Sequence, residues 1–165
     1  MKKKILFIFG TRPEAIKLFP LIEKLKKDNS IISKVCVSSQ HKGLLKQVLN
    51  LLSIKVHYDL NLMTFNQKVE NLNFLILKKL NQILDIEKPD LVIVQGDTIT
   101  SMSAAMTSKL KKIRIAHVEA GLRTFDNESP WPEEINRTII SRISDLNFCP
   151  TQLNIKNLKK ENIKN

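Results

Sequence analysis

Lys4-Ile5-Leu6-Phe7-Ile8-Phe9-Gly10-Thr11-Arg12-Pro13-Glu14-Ala15-Ile16-Lys17 decides the fold class. Ile5 to Phe9 is an unbroken apolar run, the mark of a strand buried on both faces. Gly10 ends it. Thr11 and Glu14 then have the spacing of a capping box, and Pro13 suits the first turn of a helix. Ile16, Leu18, Phe19, Leu21, Ile22 and Leu25 continue as a helical stripe. A buried strand that turns straight into a helix is the opening unit of an α/β sheet.

The same alternation recurs along the chain. Strands are expected at Val35–Val37, near Val56–Tyr58, and at Leu91–Val94, Ile113–Val118 and Leu146–Cys149. Helices are expected over Lys42–Leu52, Asn66–Ile86, Thr98–Leu110, Pro132–Ile143 and Thr151–Asn162. The pattern implies a Rossmann-like parallel sheet with helices on both faces. Ligands of such sheets bind beyond the carboxyl ends of the strands. That singles out Gly10–Arg12, Gln95–Asp97 and Glu119–Trp131.

Composition narrows the function classes. The 165 residues suit one domain with one sizeable core, and mean hydropathy is −0.14, as for a soluble globular protein. Met1-Lys2-Lys3-Lys4 before an apolar run imitates a secretory leader. The run stops short of the roughly 7–15 residues such a leader needs, so a cytoplasmic protein is expected. No stretch approaches the roughly 20 apolar residues of a membrane span. The net charge of +11 invites a nucleic-acid partner, but only 5% of residues are aromatic, leaving few stacking platforms for bases. Lysines scatter over helix faces and gather at the end, as Lys156, Lys159, Lys160 and Lys164, so no nucleic-acid partner is expected. Cys36 and Cys149 read as core thiols in strands, and no Cys/His spacing suggests a metal site.

Four motifs carry candidate chemistry. In Gly10–Lys17, the free amides of a helix N-terminus together with Arg12 and Lys17 suit a phosphorylated ligand; otherwise both cations are simply solvated. In Gln95-Gly96-Asp97-Thr98, Asp97 is either the cap of the next helix or a carboxylate in the crevice. In His117-Val118-Glu119-Ala120-Gly121-Leu122-Arg123, Glu119 shares the crevice or pairs with Arg123, and His117 is most simply a satisfied inward histidine. In Ser129-Pro130-Trp131-Pro132-Glu133-Glu134-Ile135-Asn136-Arg137, the prolines hold Trp131 extended and Arg137 lies within helical reach of both glutamates. A helix N-terminus favours the ionised carboxylate, so either glutamate leans towards base. Asp97, Glu119 and Glu133 thus form an acidic cluster facing the Arg12/Lys17 cations. That suits sugar-nucleotide chemistry, in which a carboxylate takes a proton and cations stabilise a departing phosphate.

With these four motifs in order, and weaker echoes at Gln40-His41 and Tyr58-Asp59-Leu60-Asn61, the sequence resembles the non-hydrolysing UDP-N-acetylglucosamine 2-epimerases. The likeness covers essentially the whole chain. It implies the N-terminal half of a two-domain GT-B fold, with residues 1–165 as the first domain and the nucleotide-binding C-terminal domain absent. It also implies interconversion of UDP-N-acetylglucosamine and UDP-N-acetylmannosamine. UDP is eliminated to 2-acetamidoglucal and added back, with no cofactor. By motif match, Arg12 and Lys17 fall on substrate-binding positions, and Asp97, Glu119 and Glu133 on catalytic ones. The expected partners are a UDP-sugar, a separately encoded C-terminal domain and a second copy in a homodimer. Two other readings stay open: an inactive remnant or sugar-nucleotide binding module, and a GT-B glycosyltransferase domain.

Overall fold

The structure, a computed structural model, describes residues 2–39, 42–62 and 68–163. Gln40-His41, the expected helix start at Asn66, and Lys164 lie outside the described residues. The strands are β1 (Lys3–Phe9), β2 (Ile31–Val37), β3 (Tyr58–Asp59), β4 (Leu91–Gln95), β5 (Arg114–Val118) and β6 (Leu146–Phe148). The helices are α1 (Arg12–Lys26), α2 (Lys42–Leu51), α3 (Val69–Glu87), α4 (Ile99–Leu110), α5 (Glu133–Ile143) and α6 (Gln152–Lys160).

All strand pairings are parallel, in the order β3-β2-β1-β4-β5-β6. The order reverses between β1 and β4, which is where a doubly wound sheet opens its crevice. The carboxyl ends of β1, β4 and β5 are therefore neighbours, and the three loops singled out by the sequence leave the sheet side by side.

Alternation along β1 divides the core. Leu6 and Ile8 face one layer, with Leu72, Ile76, Leu80 and Leu84 of α3 and Ala104 and Ala105 of α4. Ile5, Phe7 and Phe9 face the other, with Leu18 and Ile22 of α1 and Leu45 and Leu49 of α2. Each such fully buried side chain contributes about 1.5–3 kcal/mol. The small residues of α4 bring it close to the sheet, and the hydroxyls of Ser103, Thr107 and Ser108 donate to carbonyls one turn back.

Three expectations need correction. β2 begins at Ile31, because Lys3 pairs with Ile31 and the ladder runs through Ser33 and Lys34, which break the apolar pattern. The short edge strand is Tyr58–Asp59, shifted from Val56–Tyr58, since it pairs with Cys36 and Val37. Cys36 is a buried core thiol, its pKa pushed up to about 12 by burial. Cys149, however, lies just past β6 and is only half-buried, against Ala120, Leu158 and Ile163. Among the described residues, no helix is long and apolar enough to cross a membrane.

Candidate active site

The β1–α1 turn is tighter than its sequence suggests. A Cβ on Gly10 would lie 2.3 Å from Ser38 Oγ and 2.5 Å from Thr100 Oγ1, so close approach is what requires glycine here. Thr11 is the N-cap of α1, and Glu14 completes the capping box. The Glu14 carboxylate does more than cap. It accepts from the Thr11 N–H at 2.7 Å, the Gly10 N–H at 3.0 Å, and the Thr98 and Ser101 hydroxyls at 2.9 Å each. It is 2% exposed, and burial pushes its pKa up against those hydrogen bonds. The amides expected to await a ligand phosphate are thus already taken at Gly10 and Thr11. Arg12 and Lys17, both exposed, remain as the cations of this edge.

Thr98, not Asp97, caps α4, accepting from the Ser101 N–H at 3.1 Å. Asp97 is free to meet Arg137 of α5 at 2.5 Å, while the Asn136 amide donates to the Asp97 carbonyl at 2.8 Å. Burial drives the Asp97 pKa up. Arg137 opposes that rise, and the charges of Glu133 and Glu119 add to it. Asp97 therefore feels the charges of the other two acids predicted from sequence.

Glu119 follows β5 with φ +68°, a left-handed conformation that side chains seldom adopt. Flanking backbone bonds hold it, from Gly96 N–H to Val118 O at 2.9 Å and from Ala120 N–H to Phe148 O at 3.0 Å. Its carboxylate takes Lys17 Nζ at 2.7 and 2.8 Å and also accepts from the Gln95 side-chain amide. The alternative pairing with Arg123 does not occur. Arg123 turns away to Glu161 beyond α6, at 2.6 and 2.9 Å. His117 is buried, with Nε2 2.8 Å from the Gly96 carbonyl, and burial lowers its pKa to about 4. It is the satisfied inward histidine expected.

The Trp131 segment differs from expectation. Trp131 and Pro132 form a turn rather than an extended stretch, and the Ser129–Pro130 and Trp131–Pro132 bonds are cis. The two glutamates that follow divide. Glu134 is buried, accepts from the Thr124 N–H at 3.1 Å and the Phe125 N–H at 3.0 Å, and lies 3.4 Å from Arg137. Glu133 is half-buried and makes no ion pair among the described residues. Arg137 thus bridges Asp97 and Glu134 rather than pairing with Glu133.

The model of the family described as UDP-N-acetylglucosamine 2-epimerase matches residues 23–165. The chain belongs to that family. It is similar to the UDP-N-acetylglucosamine 2-epimerase of Neisseria meningitidis serogroup A, 48% identical over 97% of this chain and 43% of that relative. It is also similar to the UDP-N-acetylglucosamine 2-epimerase of Campylobacter jejuni, 47% identical over 98% of this chain and 42% of that relative. Among solved structures, UDP-GlcNAc 2-epimerase from Neisseria meningitidis bound to UDP-GlcNAc superposes with a TM-score of 0.94 at 47% identity. That match covers 98% of this chain and 43% of the solved one. The chain therefore spans under half the length of the relatives it matches, and its Rossmann-like sheet corresponds to the N-terminal half of those epimerases.

Sequence reasoning missed three members of this candidate site: Gln95, which braces Glu119; Arg137 as the partner of Asp97; and Glu14 as a buried hub. Only Glu14 had a local signal, its capping-box spacing. A cavity of about 680 Å³ lies away from the acids, between α2 and the ends of β2 and β3, lined by Leu45, Lys46, Asn50 and Asp59 among others. Neither Lys17 nor Glu119 lines it, so it is not the candidate reaction site.

Proposed function

We propose that this crevice binds UDP-N-acetylglucosamine and epimerises it at C2 to UDP-N-acetylmannosamine. One observation carries the reading: Lys17 Nζ touches the Glu119 carboxylate at 2.7 Å. Elimination of UDP breaks the bond between C1 and the phosphate oxygen as a base removes the proton from the adjacent C2. A cation for the departing diphosphate must therefore lie beside a carboxylate for the proton. The electron pair of the C2–H bond becomes the C1–C2 double bond of 2-acetamidoglucal, and UDP leaves with the other pair. Re-addition reverses the step, with the proton delivered to the opposite face.

In this reading Arg12 and Lys17 hold the diphosphate, and Asp97, Glu119 and Glu133 hold and move protons. The raised pKa of Asp97 suits a group that keeps a proton and returns it. No redox or metal cofactor enters the scheme. Residues 1–165 act as the first domain, and a second domain closes the cleft. The homodimer and cytoplasmic setting implied by the family resemblance belong to the same reading.

The test follows UDP-N-acetylglucosamine in D2O by NMR, with the 165-residue chain alone and with a second domain from a relative supplied. Epimer formation with deuterium at C2 is expected when both are present. The chain alone should be far slower, because an open half-cleft leaves the sugar in water, where its charges act weakly. Absence of both epimer and deuterium when both domains are present would sink the reading. A second reading is a sugar-nucleotide binding module, which binding without turnover would support.

A further inference from the structure

We infer that Glu14 is a positioning residue: a built-in anion that fills the joined N-termini of α1 and α4, fixes the Arg12 loop against the Asp97 loop, and forces the substrate diphosphate onto the Arg12 and Lys17 side chains. The last clause rests on the proposed function, whereas the first two stand on geometry alone.

Glu14 Oε2 takes the Gly10 and Thr11 amides, where β1 passes into α1. Oε1 takes the hydroxyls of Thr98, the cap of α4, and Ser101 in its first turn. These donors come from the two loops on either side of the reversal in strand order. One carboxylate thus meets the partial positive ends of two helices, the arrangement in which such sheets usually hold a ligand phosphate. With Glu14 in place, that seat is occupied from within. The next residues outward are Arg12, on the α1 side, and Asp97, one residue before Thr98. Glu14 thus ties together the backbone beside both of them.

The site is built for a carboxylate of this reach. Ser101 Oγ also lies 2.7 Å from the Gln95 carbonyl, so its single proton has an alternative acceptor if the carboxylate is removed. Gly10 leaves no room for the backbone to close over a vacancy, since Ser38 and Thr100 already bond across it at 2.8 Å. Truncating Glu14 to alanine should leave a small pocket with two amides and two hydroxyls aimed at its centre.

The experiment uses the 165-residue chain and does not read turnover. Glu14→Ala is expected to melt lower than wild type, and formate should restore it saturably, by about 2–4 °C or more. Formamide, of similar size but neutral, should restore it less than formate does. Formate should leave wild type unmoved. It should also leave Glu14→Gln unmoved, because that amide fills the pocket, with its oxygen on Gly10 and Thr11 and its NH2 group against the two hydroxyls. Equal formate responses in wild type and Glu14→Ala, or none in a folded Glu14→Ala, would overturn the inference. If Glu14→Ala folds only when refolded in formate, that supports it; a formate response in Glu14→Gln matching that of Glu14→Ala overturns it.

A pyrophosphate titration followed by NMR tests the last clause. In wild type the Arg12 and Lys17 side-chain signals should move while the Gly10 and Thr11 amides stay put. In Glu14→Ala those amides should move as well. Wild-type amides shifting as far as the variant's would overturn it. A positive formate response beside no action on UDP-N-acetylglucosamine would defeat the epimerase reading and leave the positioning role standing.

Discussion

Arg137 meets Asp97, forty residues earlier in the chain, at 2.5 Å, closer than it meets Glu134 on its own helix at 3.4 Å. The guanidinium thereby ties α5 to the loop after β4 and opposes the rise in the Asp97 pKa that burial causes. Asp97 titrates above its ordinary 3.8, so its contribution to stability is full below that value and is lost as pH rises through the folded pKa. Removing Arg137 pushes the folded pKa higher. Arg137→Gln is therefore expected to cost about 2 kcal/mol at pH 7, the scale of a hydrogen bond to a charged group, and clearly less near pH 4. Urea unfolding at both pH values checks this, and equal losses would show that Arg137 acts through packing.

Glu119 and Lys17 neutralise each other before any substrate arrives. Glu119→Gln should therefore free Lys17 and tighten UDP binding, most visibly at low salt. On the proposed epimerase reading, with a second domain supplied, the same change should lower kcat by about 10²–10⁴, the usual contribution of a general base. Calorimetry with UDP, set beside turnover, reads both effects. Weaker UDP binding in the variant would mean that Glu119 orders Lys17 rather than competing for it.

His117 gives the acid limb of stability. Its folded pKa of about 4 lies below its ordinary 6.5, so the stability it contributes is present above 6.5 and is lost as pH falls towards 4. Over that window the wild type should lose up to about 3 kcal/mol from this group. His117→Gln should be less stable at pH 7 but show a flatter decline. Unfolding curves from pH 7 to pH 4 decide it, and parallel declines would place the acid sensitivity elsewhere.

Gly121 has φ +85°, and a Cβ there would lie 2.4 Å from the Asn154 carbonyl of α6. Gly121→Ala should cost well over 1 kcal/mol, from backbone strain and displacement of α6 together. A melting temperature within about 1 °C of wild type would show that the helix yields freely.

The sheet, its crevice and the three loops were legible because a buried strand and a helical stripe leave periodic marks in the sequence. Ile5–Phe9 followed by Thr11-x-x-Glu14 is read from neighbours alone. The partners of the acids were not legible in this way. Arg123 could satisfy Glu119 or Glu161, and Arg137 could satisfy Glu133, Glu134 or Asp97; only the side-by-side placement of β4, β5 and α5 decides between them. Trp131 shows the same limit. Proline restricts the residue before it, but whether the chain then turns depends on what it packs against. The left-handed backbone at Glu119 also had no sequence signal, because the residue there is not glycine.

α6 is fastened to the loop after β5 in three places: Asn157 donates to the Gly121 carbonyl at 3.0 Å, Arg123 clasps Glu161, and Leu158 packs on Ala120. In mechanical terms this is a short load path. Force applied to the C-terminal helix reaches Gly121 and Ala120 directly, and Glu119 is the next residue along. A torque on α6 would therefore be passed to the backbone that carries the Glu119 carboxylate against Lys17.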